Sequence, residues 1–168
     1  MATPDFILRL RERIGHDPLW LTGVTAVVVK DDAVLLVERA DNGRVTPVTG
    51  IVDPGEEPAV AAVRETLEEA GIVAEPETLV WVHALPPMRY ANGDVAQYLD
   101  ITVRCRWVSG DPHPADGENV RAWWCPIDRL ADERMSDDMR ERIRVALEHP
   151  GSARFETTTG LENTPEPA

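Results

Sequence analysis

The chain has 168 residues, an ordinary apolar fraction and a formal net charge of −13. That length suits one domain with a real core, and the charge excludes a nucleic-acid polymer as the expected partner, because nothing neutralises phosphates in bulk. An anionic ligand would need a local correction, from a metal and a few arginines. Cys105 and Cys125 lie in separate apolar segments without metal-ligand spacing, so reduced core thiols in a cytoplasmic protein are expected. No apolar run reaches the length of a membrane span, and charges sit where a signal peptide would be apolar, so no membrane partner is expected.

Pro4 to Ile14 reads as a short helix with Phe6, Leu10 and Ile14 on one stripe. It is expected to pack on its own domain, with packing on a second subunit as the alternative. Leu21 to Val29 is a near-continuous, valine-rich run, as in a strand buried on both faces. Asp31-Asp32 turns it into a second strand, Ala33 to Arg39, forming a hairpin. Asp41-Asn42-Gly43 makes a further turn into Arg44 to Val48. Arg39 and Arg44 flank that turn and could reach a substrate phosphate through charge-assisted bonds; solvated surface arginines are the alternative.

Gly50 to Ile72, GIVDPGEEPAVAAVRETLEEAGI, is a Gly/Pro-rich loop followed by an acidic helix. Asp53-Pro54-Gly55 forms the turn. Pro58 suits the first helical position and Gly71 the left-handed position past the end, so the spacing predicts a helix over 58–70. At about 100° per residue, Ala59, Ala62, Val63, Thr66, Leu67 and Ala70 share a buried arc. Glu65, Glu68 and Glu69 share a roughly opposite, solvent-facing arc, with Arg64 beside Glu68. Three clustered carboxylates repel one another, and a divalent cation with hard oxygen ligands, Mg²⁺ or Mn²⁺, would relieve them. A solvated acidic face with no ligand is the bland alternative.

Downstream, Thr78 to Leu85 reads as a strand and Pro86 to Gly93 as a loop. Val95 to Val108 alternates, with Leu99, Ile101, Val103, Cys105 and Trp107 on one face and Asp100, Thr102, Arg104 and Arg106 on the other. A polar loop, 110–119, leads to a strand over Val120 to Cys125. Ser136 caps a last helix in which Met139, Ile143 and Leu147 recur, with Met139 expected in the core. The boundaries are one domain over 1–150, including the N-terminal helix, and a Thr/Glu/Pro-rich flexible tail over 151–168.

The 50–72 stretch resembles the Nudix box, G-x5-E-x7-R-E-U-x-E-E-x-G-U, with U a bulky aliphatic residue. Gly50, Glu56, Arg64, Glu65, Glu68, Glu69, Gly71 and Ile72 fall at the required spacing. Thr66 at the first U departs from it, and its hydroxyl is expected to bond a carbonyl one turn back. Thr49 stands where the family usually has a first glycine, which leaves the backbone carbonyl as a donor. The resemblance implies an α/β/α sandwich with a mixed β-sheet between helices. It implies hydrolysis of the pyrophosphate linkage of a nucleoside diphosphate joined to another moiety, with Mg²⁺ or Mn²⁺ as cofactor. By resemblance, Glu68 and Glu69 bind metal directly, Glu65 binds through water or a second ion, and carbonyls at Thr49-Gly50 contribute. Glu56 and Arg64 orient that cluster. The base is Glu65 or an acid on a late loop, for which Glu118 is the candidate; a solvated loop acid is the alternative for Glu118. His83 and His113 are poor candidates, His83 having no partner in view.

Substrate hints disagree. Pro87 resembles the proline of ADP-ribose hydrolases, whereas Tyr90 resembles the tyrosine of diadenosine polyphosphate hydrolases and could stack on a base. ADP-ribose or a related nucleotide is the first expectation. Diadenosine polyphosphate or nucleoside triphosphate hydrolysis is the alternative, and a non-catalytic nucleotide-binding sensor is the alternative of another class. Homodimerisation, common among members of the family, stays open.

Overall fold

The computed structural model describes residues 3–148 and 151–157. Helix α1 spans Asp5–Ile14 and strand β1 Leu19–Lys30. Strand β2 spans Ala33–Arg39, β3 Val45–Thr46 and β4 Val48–Ile51. Helix α2 covers Pro58–Ala70, as the Pro58 and Gly71 signals require, and β5 covers Val73–Ala84. Then come β6, Met88–Arg89; β7, Val95–Ser109; and β8, Asn119–Pro126. A 3-10 turn over Ile127–Asp132 leads to α3, Asp137–Glu148, and β9, Arg154–Phe155.

Among the described residues the strands form one mixed sheet with the path β3-β2-β1-β7-β5-β9, with β4 beside β1, β6 beside β7 and β8 beside β2. At its centre β1 and β7 run parallel, from Leu19↔Ala96 to Val29↔Arg106. Gly23 to Val28 are all buried, which is why that run reads as continuously apolar rather than alternating. The β1–β2 turn places Asp31 at φ 51°, a conformation a short polar side chain tolerates.

Helices cover both faces. On one, Ala61, Ala62 and Ala70 of α2 pack with Val24, Val28, Leu35 and Ile72, flanked by Trp107 and Trp124. On the other, Ile143, Val145 and Ala146 of α3 pack with Val27, Leu36, Val80 and Trp81. A third cluster joins Ile7 of α1 to Leu21, Ile51 and Ala96. The α1 stripe is therefore centred on Ile7, while Leu10 is 39% exposed.

Two further expectations change. Strict alternation put Asp100 and Thr102 on the solvent side of β7, but they are 3% and 0% exposed, because α3 covers that face too. Their polarity is matched by Arg142, itself 2% exposed. Arg142 Nη1 donates to Thr25 Oγ1 at 2.6 Å and Asp100 Oδ1 at 2.9 Å, and its Nη2 to Asp138 Oδ2 at 2.7 Å. Thr25 and Thr102 hydroxyls donate to the two Asp100 oxygens at 2.9 Å. His83 also has company: it stacks on Trp81 at 3.7 Å between centroids and lies 3.6 Å from Asp138.

At the end of the chain, Arg154–Phe155 pair in parallel with Trp81–Val82. The span 151–168, expected to be tail throughout, thus contributes a strand near its start; residues 158–168 lie outside the described residues. Both cysteines are free and buried. Among the described residues no helix is long and apolar enough to cross a membrane.

Candidate active site

Helix α2 does not split into an apolar inner face and an acidic outer one. Its buried residues are Ala61, Ala62, Glu65, Thr66, Glu69 and Ala70. Leu67, expected inside, is 50% exposed, and of the three expected solvent-facing acids only Glu68 is exposed. Glu65 and Glu69 are 5% and 2% exposed. The buried arc is rotated toward two covering segments, the end of β4 with its following turn (49–53) and the 111–119 loop, neither of which periodicity within the helix can register. Thr66 behaves as expected, its hydroxyl donating to the Ala62 carbonyl at 2.7 Å.

The acids are held by Arg64. Its Nε donates to Glu56 Oε1 and its Nη2 to Glu56 Oε2, both at 2.9 Å. Its Nη1 lies 3.0 Å from Glu65 Oε1 and 3.1 Å from Glu68 Oε2. One guanidinium thus offsets the repulsion among three carboxylates. The Arg64 hydrogen bonds hold the Glu56 carboxyl below its usual range, whereas burial pushes Glu65 up against the pull of Arg64. Burial also drives Glu69 up to about 7, against a hydrogen bond from Asn119.

Two glycines are required by packing. A Cβ on Gly50 would fall 2.2 Å from Glu65 Cγ, so this glycine lets the β4 backbone lie on the buried carboxylate. Gly71 ends α2 at φ 66°, its N–H donating to the Leu67 carbonyl, and a Cβ there would fall 2.1 Å from the His113 ring. His113 is thus a packing partner of the helix end.

The 111–119 loop is fastened to that helix end. The His113 N–H donates to Ala70 O at 3.1 Å and the Ala115 N–H to Glu69 O at 3.2 Å. Asn119 Nδ2 donates to Glu69 Oε2 at 3.1 Å. Glu118 is half-buried beside Asn119, and its carbonyl accepts from the Ala40 N–H at 2.9 Å. Asn119 is a residue that sequence reasoning missed. It falls at a loop–strand boundary, where neither period applies, and adjacency to Glu118 was the one available pointer.

A divalent cation fits this donor set. Glu69 Oε1 is buried without a hydrogen-bond partner among the described residues, and two desolvated carboxylates lack a full counter-charge. Hard oxygens in that state suit Mg²⁺ or Mn²⁺. Among the described residues no three acid, thiol or imidazole groups already converge on one point; Arg64 now spans Glu65 and Glu68.

Beside this cluster lies a cleft of about 620 Å³, the size of a small-molecule site. Thr49 and Gly50 border it, as do Arg39, Arg44 and Tyr90. Arg39 is partly spent on Asp41, at 3.0 Å. Tyr90 bonds Tyr98 hydroxyl to hydroxyl at 2.8 Å. Met139, expected in the core, borders the cleft instead, as do Asp100 and Arg142, whereas Pro87 is not among its lining residues. Arg11 of α1 closes one side, donating to Val95 O at 2.8 Å and lying 3.5 Å from Asp94.

Comparison with known proteins agrees with this arrangement. The NUDIX domain profile matches residues 20–146. A MutT-like protein from Streptomyces ambofaciens is 32% identical over 135 residues, covering 80% of this chain and 81% of that protein. Human 8-oxo-dGDP phosphatase NUDT18 is 28% identical over 154 residues, which is 90% of this chain but 44% of that protein, so this chain spans less than half of the human relative. A NUDIX hydrolase structure from Nitrosomonas europaea superposes with a TM-score of 0.64 at 31% identity, covering 77% of this chain and 89% of that one. An ADP-ribose pyrophosphatase from Streptococcus suis shares the fold, with a TM-score of 0.61 at 22% identity over 81% of this chain and 96% of that one. With the box on a loop–helix unit against a mixed sheet and the profile spanning most of the chain, the protein belongs to the Nudix family and is a Nudix pyrophosphohydrolase.

Proposed function

We propose that the protein hydrolyses, with Mg²⁺ or Mn²⁺, the pyrophosphate linkage of a nucleoside diphosphate joined to another moiety. The observation that carries this is the Arg64-centred carboxylate cluster lying beside the large cleft across Thr49-Gly50. Glu65, Glu68 and Glu69, with the Thr49 and Gly50 carbonyls, would hold the cation. When bound, the cation would neutralise charge on the diphosphate and make water easier to deprotonate. Arg64 holds Glu68 and Glu65 in place and is itself fixed by both oxygens of Glu56. Glu65 or Glu118 takes the proton of the attacking water; Glu118 is tied to the cluster through its neighbour Asn119. Arg39, Arg44 and Tyr90 bind substrate at the cleft wall, the arginines to phosphate and the tyrosine to a base.

ADP-ribose or a related nucleotide is the first candidate, in keeping with the structural relative of that activity. One observation favours a second reading, a diadenosine polyphosphate: Tyr90 borders the cleft and Pro87 does not. We place the protein in the cytoplasm on its two free, buried thiols. The test is product release from ADP-ribose, diadenosine polyphosphates, nucleotide sugars and nucleoside triphosphates, with and without Mg²⁺. Glu68→Gln is the variant to run beside the wild type, because Glu68 is the exposed member of the cluster. Metal-dependent cleavage that is lost in the variant supports the proposal. Binding of one compound without turnover replaces it with a sensor.

A further inference from the structure

Trp20 is 57% exposed, a large apolar surface left open among the described residues. By strand alternation it projects with Thr22 and Val24 from the α2 side of β1, opposite Leu21, which packs with Ile7 of α1. In front of it lies a groove of about 400 Å³ lined by Phe6, Trp20, Val52, Pro54 and Pro58, with Asp53 and Glu56 at its edge. The groove and the large cleft flank one continuous segment: Thr49 to Ile51 border the cleft, and Val52 to Glu56 border the groove. Helix α1 reaches both, with Ile7 in the cleft and Phe6 in the groove.

The groove wall is fixed in advance. The Val52 N–H donates to the Thr22 carbonyl at 3.0 Å, tying the loop to the strand that carries Trp20. The Glu56 N–H donates to Asp53 O at 2.9 Å and the Asp53 N–H to Glu56 Oε2 at 3.2 Å, closing the turn, and Arg64 anchors Glu56 from below. A preformed wall spares a ligand the ordering entropy. An exposed indole bordered by prolines suits a planar ring laid flat against it. The charged groups lining the groove are Asp53 and Glu56, and Glu56 is spent on Arg64. The residual charge is negative, so a phosphate or carboxylate is disfavoured and a neutral or cationic ring is favoured.

We propose that this groove is a second ring subsite, in which Trp20 stacks on a neutral or cationic heteroaromatic ring carried by the moiety on the far side of the diphosphate. The inference rests on the pyrophosphohydrolase reading and, within it, favours dinucleotides with a ring at each end over ADP-ribose and other nucleotide sugars. With the diphosphate at Thr49 to Ile51, beside the carboxylates that would hold the cation, one nucleoside lies in the cleft and the ring on the far side reaches Trp20.

NAD⁺ and ADP-ribose differ by one cationic nicotinamide ring, which makes them the informative pair. In Trp20→Ala the ratio of KM for NAD⁺ to KM for ADP-ribose rises about tenfold, the order of one lost ring–aromatic stack, and Trp20→Phe restores it. A ratio equal to that of the wild type overturns the subsite. If the wild type cleaves neither compound, the substrate reading fails separately and the groove is judged by binding. 1-Methylnicotinamide, a cationic ring without phosphate, then quenches tryptophan emission in the wild type and much less in Trp20→Ala. Equal quenching in the two proteins overturns the subsite.

Discussion

Arg142→Met tests whether the polar floor of the sheet is a stabilised ion cluster or a tolerated defect. The substitution keeps most of the side-chain volume and removes three hydrogen bonds, to Thr25, Asp100 and Asp138. Asp100, 3% exposed, then keeps two hydroxyl donors and no counter-charge. Breaking a buried pair from one side costs about 3–5 kcal/mol, because the remaining charge cannot reach water. For a domain of this size each kcal/mol shifts Tm by about 2–4 °C, so the expected fall is about 6–20 °C. Asp100→Asn falls at the lower end, about 3 kcal/mol, because Arg142 still reaches Asp138, whose side chain is 47% exposed. The double variant removes both charges and costs less than the sum of the singles, by at least about 2 kcal/mol. Urea unfolding of the four proteins, without ligand, measures all three quantities. Singles that cost under about 1 kcal/mol, or that add without coupling, would refute the reasoning.

Three other expectations follow from local geometry. Arg64→Lys keeps the charge but cannot bond both Glu56 oxygens while reaching Glu65 and Glu68, so Mn²⁺ affinity measured by titration falls about 10–100-fold. Leu67→Gln leaves urea stability within about 0.5 kcal/mol, since Leu67 is half exposed; a loss of about 2 kcal/mol or more would return it to the buried arc. Glu141 accepts hydrogen bonds from Arg144 and pairs with Arg154, which holds its carboxyl down to about 2. Its folded pKa is depressed, so its stabilisation is complete above the ordinary carboxylate range and is lost as pH falls toward about 2. Glu141→Gln therefore costs under about 1 kcal/mol near neutrality, after screening by water, and nothing at the acid end; equal costs at both ends would contradict the pairing.

The loop–helix unit was legible because its signals are local. Pro58, Gly71 and the turn at Asp53-Pro54-Gly55 set the ends of α2, helical spacing put Arg64 beside Glu68, and the family resemblance implied the link from Arg64 to Glu56. The burial of Glu65 and Glu69 was not legible, because it is imposed by chain 49–53 and 111–119 lying over the helix from outside. Asp100 and Thr102 failed for the same reason: alternation reports one covered face, and α3 covers the second. His83 meets Asp138 on the face that α3 covers, a contact between β5 and α3 that no spacing encodes.

The parallel pairing of β1 with β7 also sets an entropic expectation for the order of folding. Arg11 and Val95, which close one side of the cleft, are 84 residues apart in sequence. Closing so long a loop is entropically costly and slow compared with forming α2 or the β1–β2 hairpin. On a chain emerging from the ribosome, the acidic helix can form while β1 still waits for its central partner, leaving a valine-rich edge unpaired until β7 is made. The Glu56–Arg64–Glu68 pairing is thus the early, local part of the site, whereas the cleft and the burial of Glu69 under Asn119 come late, when the sheet closes.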